Sequence, residues 1–192
     1  NFGKEDPTVS TIEFAVSFKV VSGILNVWHL KMKELLLLRH AKSSWDYAVS
    51  DRNRPLTEKG MKRITQMAIA SSTIFQSQEI IFSSPANRAL HTATLMMHAL
   101  GIDFKKLNVN ETLYTFEASQ LLDFIYALED QFDKVICVGH NPAFSNVISY
   151  LSDTTIGNLP TAAWARITFT QSHWSDVSDG KCTLGLPKER LA

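Results

Sequence analysis

A chain of 192 residues, 45% hydrophobic and 20% charged, has the material for one domain with a substantial core. Its formal net charge of zero leaves no overall electrostatic footprint for nucleic acid or an anionic membrane. The two cysteines, Cys137 and Cys182, make neither a disulfide framework nor a Cys-based zinc site. They suit a reducing compartment, and a cytoplasmic location is expected.

Residues 1–31 read differently from the rest. Phe14 to Trp28 is fairly apolar but is interrupted by Ser17, Lys19, Ser22, Gly23 and Asn26. It falls short of the ~20 apolar residues a membrane span needs. Glu5, Asp6 and Glu13 and the lack of a small-residue cleavage pattern argue against a signal peptide, and no Arg precedes Arg39, as a transit peptide would require. The expectation is an N-terminal extension, residues 1–31, outside a single domain spanning 32–192. An extra edge strand or a docking segment is the alternative.

Leu35 to Leu38 then form a short apolar run that stops at Arg39-His40. Such a run reads as a strand buried on both faces. A polar loop follows to Pro55. Thr57 caps a helix expected from about Glu58 to Ser72, with Met61, Ile64, Met67 and Ala68 on its apolar face. Glu79 to Phe82 is a second buried strand, entering Ser83-Ser84-Pro85. Ser84 is expected to cap the next helix, with Pro85 in its first turn. Ala89, Thr92, Ala93, Met96, Met97 and Leu100 line that helix and Gly101 stops it, leaving Arg88 and His91 off the apolar face.

Lys106 to Val109 suggests a short strand, and a helix is expected over Ala118 to Glu129. Val135 to Val138 is another buried run, ending at Gly139-His140-Asn141-Pro142, before a helix carrying Phe144, Val147, Ile148 and Leu151. Past Pro160 the period becomes two. Ala165, Ile167 and Phe169 alternate with polar residues, as do Cys182, Leu184 and Leu186, and Ser178-Asp179-Gly180 lies between as a turn. Strand-helix alternation predicts a three-layer α/β/α sandwich on a mostly parallel sheet, with an antiparallel edge.

In a parallel sheet the strand C-termini share one edge, where ligands bind. Three of them bring Arg39-His40, Ser83-Ser84 with Arg88, and Gly139-His140. Arginine forks match phosphoryl oxygens. A histidine can take a phosphoryl group covalently, and a second, if protonated, stabilises its equatorial oxygens. A lone His at a strand end is commonly structural; the coincidence of three strand ends selects Arg39, His40, Arg88 and His140. His91 reads as a helix-surface or packing residue, and His29, His98 and His173 fit no pattern. No close set of His, Cys and carboxylates has metal-ligand spacing, so no metal is expected.

The blocks Leu38-Arg39-His40-Ala41-Lys42-Ser43-Ser44-Trp45, Arg54-Pro55-Leu56-Thr57-Glu58-Lys59-Gly60, Ser83-Ser84-Pro85-Ala86-Asn87-Arg88-Ala89 and Val138-Gly139-His140-Asn141-Pro142 occur in order. Leu159-Pro160-Thr161-Ala162-Ala163 and Leu186-Pro187-Lys188 follow. Together they resemble the histidine phosphatase superfamily, and within it the SixA-type phosphohistidine phosphatases, where Ala follows the His. The resemblance implies a phosphoglycerate mutase-like fold with no metal or organic cofactor. It implies His40 as nucleophile, with Arg39, Arg88 and His140 binding the phosphoryl group beside Ser44 and Asn141. Glu111 falls near the carboxylate that serves as general acid in some members. Asp46, where mutase-like relatives carry Asn, is expected to point away from the phosphate. The implied substrate is a phosphorylated protein, such as a histidine-phosphotransfer protein, or a small phosphate ester. The short connections after the first strand and over Leu113 to Ala118 leave the pocket open to a protein side chain.

Overall fold

A computed structural model describes residues 32–187. The expected extension over residues 1–31 lies outside the described residues. Six strands form one sheet: β1 (Glu34–Arg39), β2 (Ile80–Ser83), β3 (Leu107–Val109), β4 (Lys134–Gly139), β5 (Trp164–Thr168) and β6 (Lys181–Gly185). Their spatial order is β3-β2-β4-β1-β5-β6. The first four lie parallel, with Leu38 opposite Val138 and Ser83 opposite Val138 on its other side. β5 runs antiparallel to β1, and β6 antiparallel to β5.

Leu35 to Leu38 are all fully buried, each stabilising the fold by about 1.5–3 kcal/mol over exposure. Alternation divides them between the two faces of the sheet. Leu35 and Leu37 join Val135 and Cys137 under α4 (Ala118–Tyr126) and α5 (Ala143–Leu151). Leu36 and Leu38 join Ile81, Ile136 and Val138 under α1 (Glu58–Ala70), α2 (Ser72–Gln76) and α3 (Asn87–Leu100). This is the expected three-layer sandwich. Both cysteines are free, and burial pushes the Cys137 thiol far up. No helix among the described residues is long and apolar enough to cross a membrane.

Three boundaries differ from expectation. The first helix stops at Ala70, and α2 restarts after Ser71. α4 ends at Tyr126, short of Glu129. More consequentially, Ser84 does not cap α3. That helix begins at Asn87 with Ala86 at the N-cap, so Pro85 precedes it. The Ser84 hydroxyl is engaged elsewhere, 2.8 Å from Nε2 of His140.

Candidate active site

The ends of β1, β2 and β4 meet as the parallel register requires. Thr57, the N-cap of α1, accepts the Gly60 N–H (3.0 Å) and donates its own backbone N–H to the Lys42 carbonyl (2.9 Å), fixing the strap that follows His40. Gly60 packs so closely on Lys42 that a Cβ there would overlap its carbonyl oxygen. Thr92, fully buried on α3, accepts the Ala41 N–H (2.9 Å) and donates to the Arg88 carbonyl (2.6 Å). The strap bearing His40 and the helix bearing Arg88 are thereby joined.

The partners of His40 determine its tautomer. Nδ1 lies 2.8 Å from the Ala41 carbonyl and must carry the proton. Nε2 is therefore unprotonated, and its lone pair accepts a long bond from Arg88 Nε at 3.3 Å. Burial pushes the His40 pKa down to about 3; the Ala41 bond opposes this, and the Arg88, Arg39 and Arg54 charges add to it. The result is a neutral ring with Nε2 available as a nucleophile.

His140 lies against it, ring centroids 5.1 Å apart. Burial first, then His40, Arg88 and Arg39, push its pKa down to about 2, and Asp51 opposes them. The protonated His140 considered from the sequence is therefore not its state in the free site. With the Ser84 hydroxyl already accepting the Ala86 N–H (3.3 Å), we assign its proton to the bond with His140 Nε2 and the proton of neutral His140 to Nδ1, which is buried and has no partner. Arg39 Nε is likewise buried and unpartnered, while its Nη1 donates to Leu159 O (2.6 Å) and Asn158 Oδ1 (3.0 Å). Asn141 Nδ2 donates to the same two acceptors, which brings Asn141 beside Arg39 and leaves its Oδ1 buried without a partner. Leaving a buried polar group unsatisfied costs about 1–3 kcal/mol. Two such donors beside a lone-pair nucleophile are what an anionic oxygen would satisfy.

Arg88 is 1% exposed, although its helical position predicts the polar face. Its side chain reaches across to Asp51, donating through Nη1 to the Asp51 carbonyl (2.6 Å) and through Nη2 to Oδ2 (2.9 Å). Asp51 also accepts from Arg54 Nε (3.0 Å) and the Tyr114 hydroxyl (2.9 Å). Burial would raise the Asp51 carboxyl, but Tyr114 and Arg88 outweigh it and hold it below the usual range. Sequence reasoning passed over Asp51, Tyr114 and Asn158. A polar loop has no periodicity, and the signal available was only the spacing of Asp51 three residues before Arg54.

The remaining expected residues are dispersed. Ser44 is buried, but its hydroxyl donates to Asp46 Oδ2 (2.6 Å) and accepts the Asp46 N–H (3.0 Å). Asp46 is exposed. Glu111 is exposed and pairs with Arg52 at 2.6 Å. His91 and His98 are exposed on α3, and His173 bonds Asp130 at 2.7 Å.

The histidine phosphatase superfamily (branch 1) model matches residues 35–114, which hold Arg39, His40 and Arg88 in the arrangement described. The match and the shared fold support the histidine phosphatase superfamily that the sequence blocks resemble. The match supports phosphatase chemistry. An uncharacterised chloroplastic protein of Arabidopsis thaliana is 27% identical over 155 residues, covering 76% of this chain and 70% of that one. A candidate phosphohistidine phosphatase SixA from Nakamurella multipartitia shares the fold at a TM-score of 0.67 and 21% identity, over 82% of this chain and 97% of that one. So does the protein histidine phosphatase SixA complexed with tungstate, at 0.66 and 22%, over 80% and 94%. The mycobacterial glucosyl-3-phosphoglycerate phosphatase shares the fold as well, at 0.57 and 15%, over 80% and 97%.

Proposed function

We propose that the protein is a metal-independent phosphatase that works through a covalent phosphohistidine on His40, with protein phosphohistidine as its substrate. The observation that carries this reading is the His40 tautomer: Nδ1–H is committed to a backbone carbonyl, and the Nε2 lone pair lies beside Arg88.

Nε2 attacks phosphorus, and the bond from phosphorus to the leaving group breaks. The phosphorylated ring becomes cationic, and the Ala41 carbonyl stabilises it through Nδ1–H. Arg39 and Arg88 balance the phosphoryl charge, and neutral His140 donates from Nδ1. A leaving imidazole that is protonated on its far nitrogen departs as the neutral ring and needs no acid from the enzyme. Water then attacks phosphorus, releasing dihydrogen phosphate and restoring neutral His40. Asn141 flanks this centre through its shared anchor with Arg39.

The short segment between Leu113 and α4 and the exposed Trp45 and Tyr47 support access by a protein side chain, such as that of a histidine-phosphotransfer protein. The two free thiols suit the cytoplasm. A second reading keeps the same chemistry on a small phosphate ester, and the likeness to the glucosyl-3-phosphoglycerate phosphatase favours it. A non-catalytic phosphoprotein binder would have no use for an activated nucleophile.

Trapping with a phosphohistidine protein, followed by mass spectrometry of the peptide containing His40, tests the proposal directly. Phosphate should appear on His40 in the wild type. His40→Ala should lose phosphate release and keep phosphate affinity within about tenfold. Preference for a panel of sugar phosphates would instead select the small-ester reading.

A further inference from the structure

Large apolar side chains left exposed at a reaction centre call for an explanation. Phe116 is 44% exposed, and its ring centroid lies 5.6 Å from that of His140. Tyr114 packs edge-on against Phe116 at 6.1 Å and meets His140 at 5.6 Å, so the three rings form one triangular cluster. The segment carrying Phe116 is short and anchored. The backbone N–H of Tyr114 donates to the Glu111 carbonyl (2.9 Å), Thr115 is buried with its hydroxyl accepting the Glu117 N–H (3.0 Å), and α4 begins at Ala118. Phe116 is thus an aromatic ring held against Tyr114 and His140 and still partly open to solvent.

The chemistry locates what approaches that ring. Nδ1 of His40 is committed to Ala41, so phosphorus must approach along the Nε2 lone pair. Displacement in line then sends the leaving group to the side of phosphorus opposite His40, and the aromatic rings that stand against His140 in this site are those of Tyr114 and Phe116. Among the exposed apolar side chains of the described residues, Phe116 is the one in ring contact with a catalytic histidine.

We propose that Phe116 is the specificity-determining platform of this site: its exposed face stacks on flat, aromatic leaving groups, the imidazole of phosphohistidine among them. The inference rests on the phosphatase reading above and names the leaving-group class that the site favours. Stacking requires a planar partner, so it distinguishes imidazole or a phenol from an alkyl alcohol of similar size. Because the contact lies on the leaving group, it affects cleavage of the substrate bond and not the binding of inorganic phosphate.

The test compares the wild type with Phe116→Ala, Phe116→Leu and Phe116→Tyr on three substrates: a phosphohistidine peptide, p-nitrophenyl phosphate and glycerol phosphate. Phe116→Ala and Phe116→Leu should lower kcat/KM about tenfold on the two flat leaving groups, while glycerol phosphate turnover and inhibition by inorganic phosphate stay within about twofold. Phe116→Tyr should retain the wild-type preference. An equal loss on all three substrates, or a weaker phosphate inhibition constant, would mean that Phe116 only packs His140 in place. Unchanged kinetics would overturn the proposal as well. The p-nitrophenyl arm keeps the two claims separate. If the wild type ignores phosphohistidine, the substrate assignment fails, yet the role of Phe116 is still decided by the contrast between the phenol and the alkyl ester.

Discussion

Arg88 Nε lies 3.3 Å from Nε2 of His40, while both terminal nitrogens of the same guanidinium are held by Asp51. One side chain thus spans from the nucleophile to a loop carboxylate. The clamp turns the fork onto Asp51 and sets the Nε edge of the guanidinium against His40, and the entropy of ordering it is lost on folding rather than during the reaction.

This geometry makes Arg88→Lys a severe change. Lysine keeps the charge but cannot donate to His40, the Asp51 carbonyl and the Asp51 carboxylate at once. We expect kcat to fall by roughly 10²–10³-fold, the cost of losing one preorganised donor. A fall of less than about threefold in steady-state assays would show that charge alone suffices.

Glu111 sits where a general acid would be sought, but its carboxylate pairs with Arg52 at 2.6 Å, and both side chains are well exposed. We expect Glu111→Gln to leave phosphohistidine turnover within about twofold, because the imidazole leaves without its help. On an alkyl phosphate, whose alkoxide needs a proton, a loss above about tenfold would restore the acid role.

Both site histidines are held neutral, His40 with its pKa pushed down to about 3 and His140 to about 2, chiefly by burial. An unfolded imidazole titrates near ~6.5. Between those values the unfolded chain binds protons that the folded chain refuses. Stability from this source is therefore complete above about pH 6.5 and declines as pH falls. Each ring costs on the order of 1 kcal/mol per pH unit in that window. Thermal melts should show Tm dropping from pH 7 to pH 5, and the drop should be shallower in His40→Asn, which removes one of the two rings. A wild-type Tm that is flat across this range would contradict buried neutral histidines.

Much of the fold, and the convergence of the four proposed site residues, was legible in the chain itself. Leu35 to Leu38 could only be a strand buried on both faces, and Val135 to Val138 its like. Once strands and helices alternate, a parallel sheet brings the ends of its strands together, so Arg39, His40 and His140 converge through connectivity alone. Thr57 and Gly101 marked helix ends through local chemistry that needs no tertiary partner.

The tertiary structure decided what depends on distant neighbours. Helical periodicity assigned Arg88 to the polar face, and it is buried because Asp51, 37 residues earlier, supplies a carboxylate beneath the loop. Local rules assigned Ser84 to a helix cap, but a buried His140 needed its hydroxyl more. The active nitrogen of His40 and the neutral state of both rings follow from burial and from the Ala41 carbonyl, neither of which has a signature in residue order. Sequence encodes the period of the chain and therefore its strands; proton positions and charge states depend on solvent exclusion, which exists only once the layers have packed.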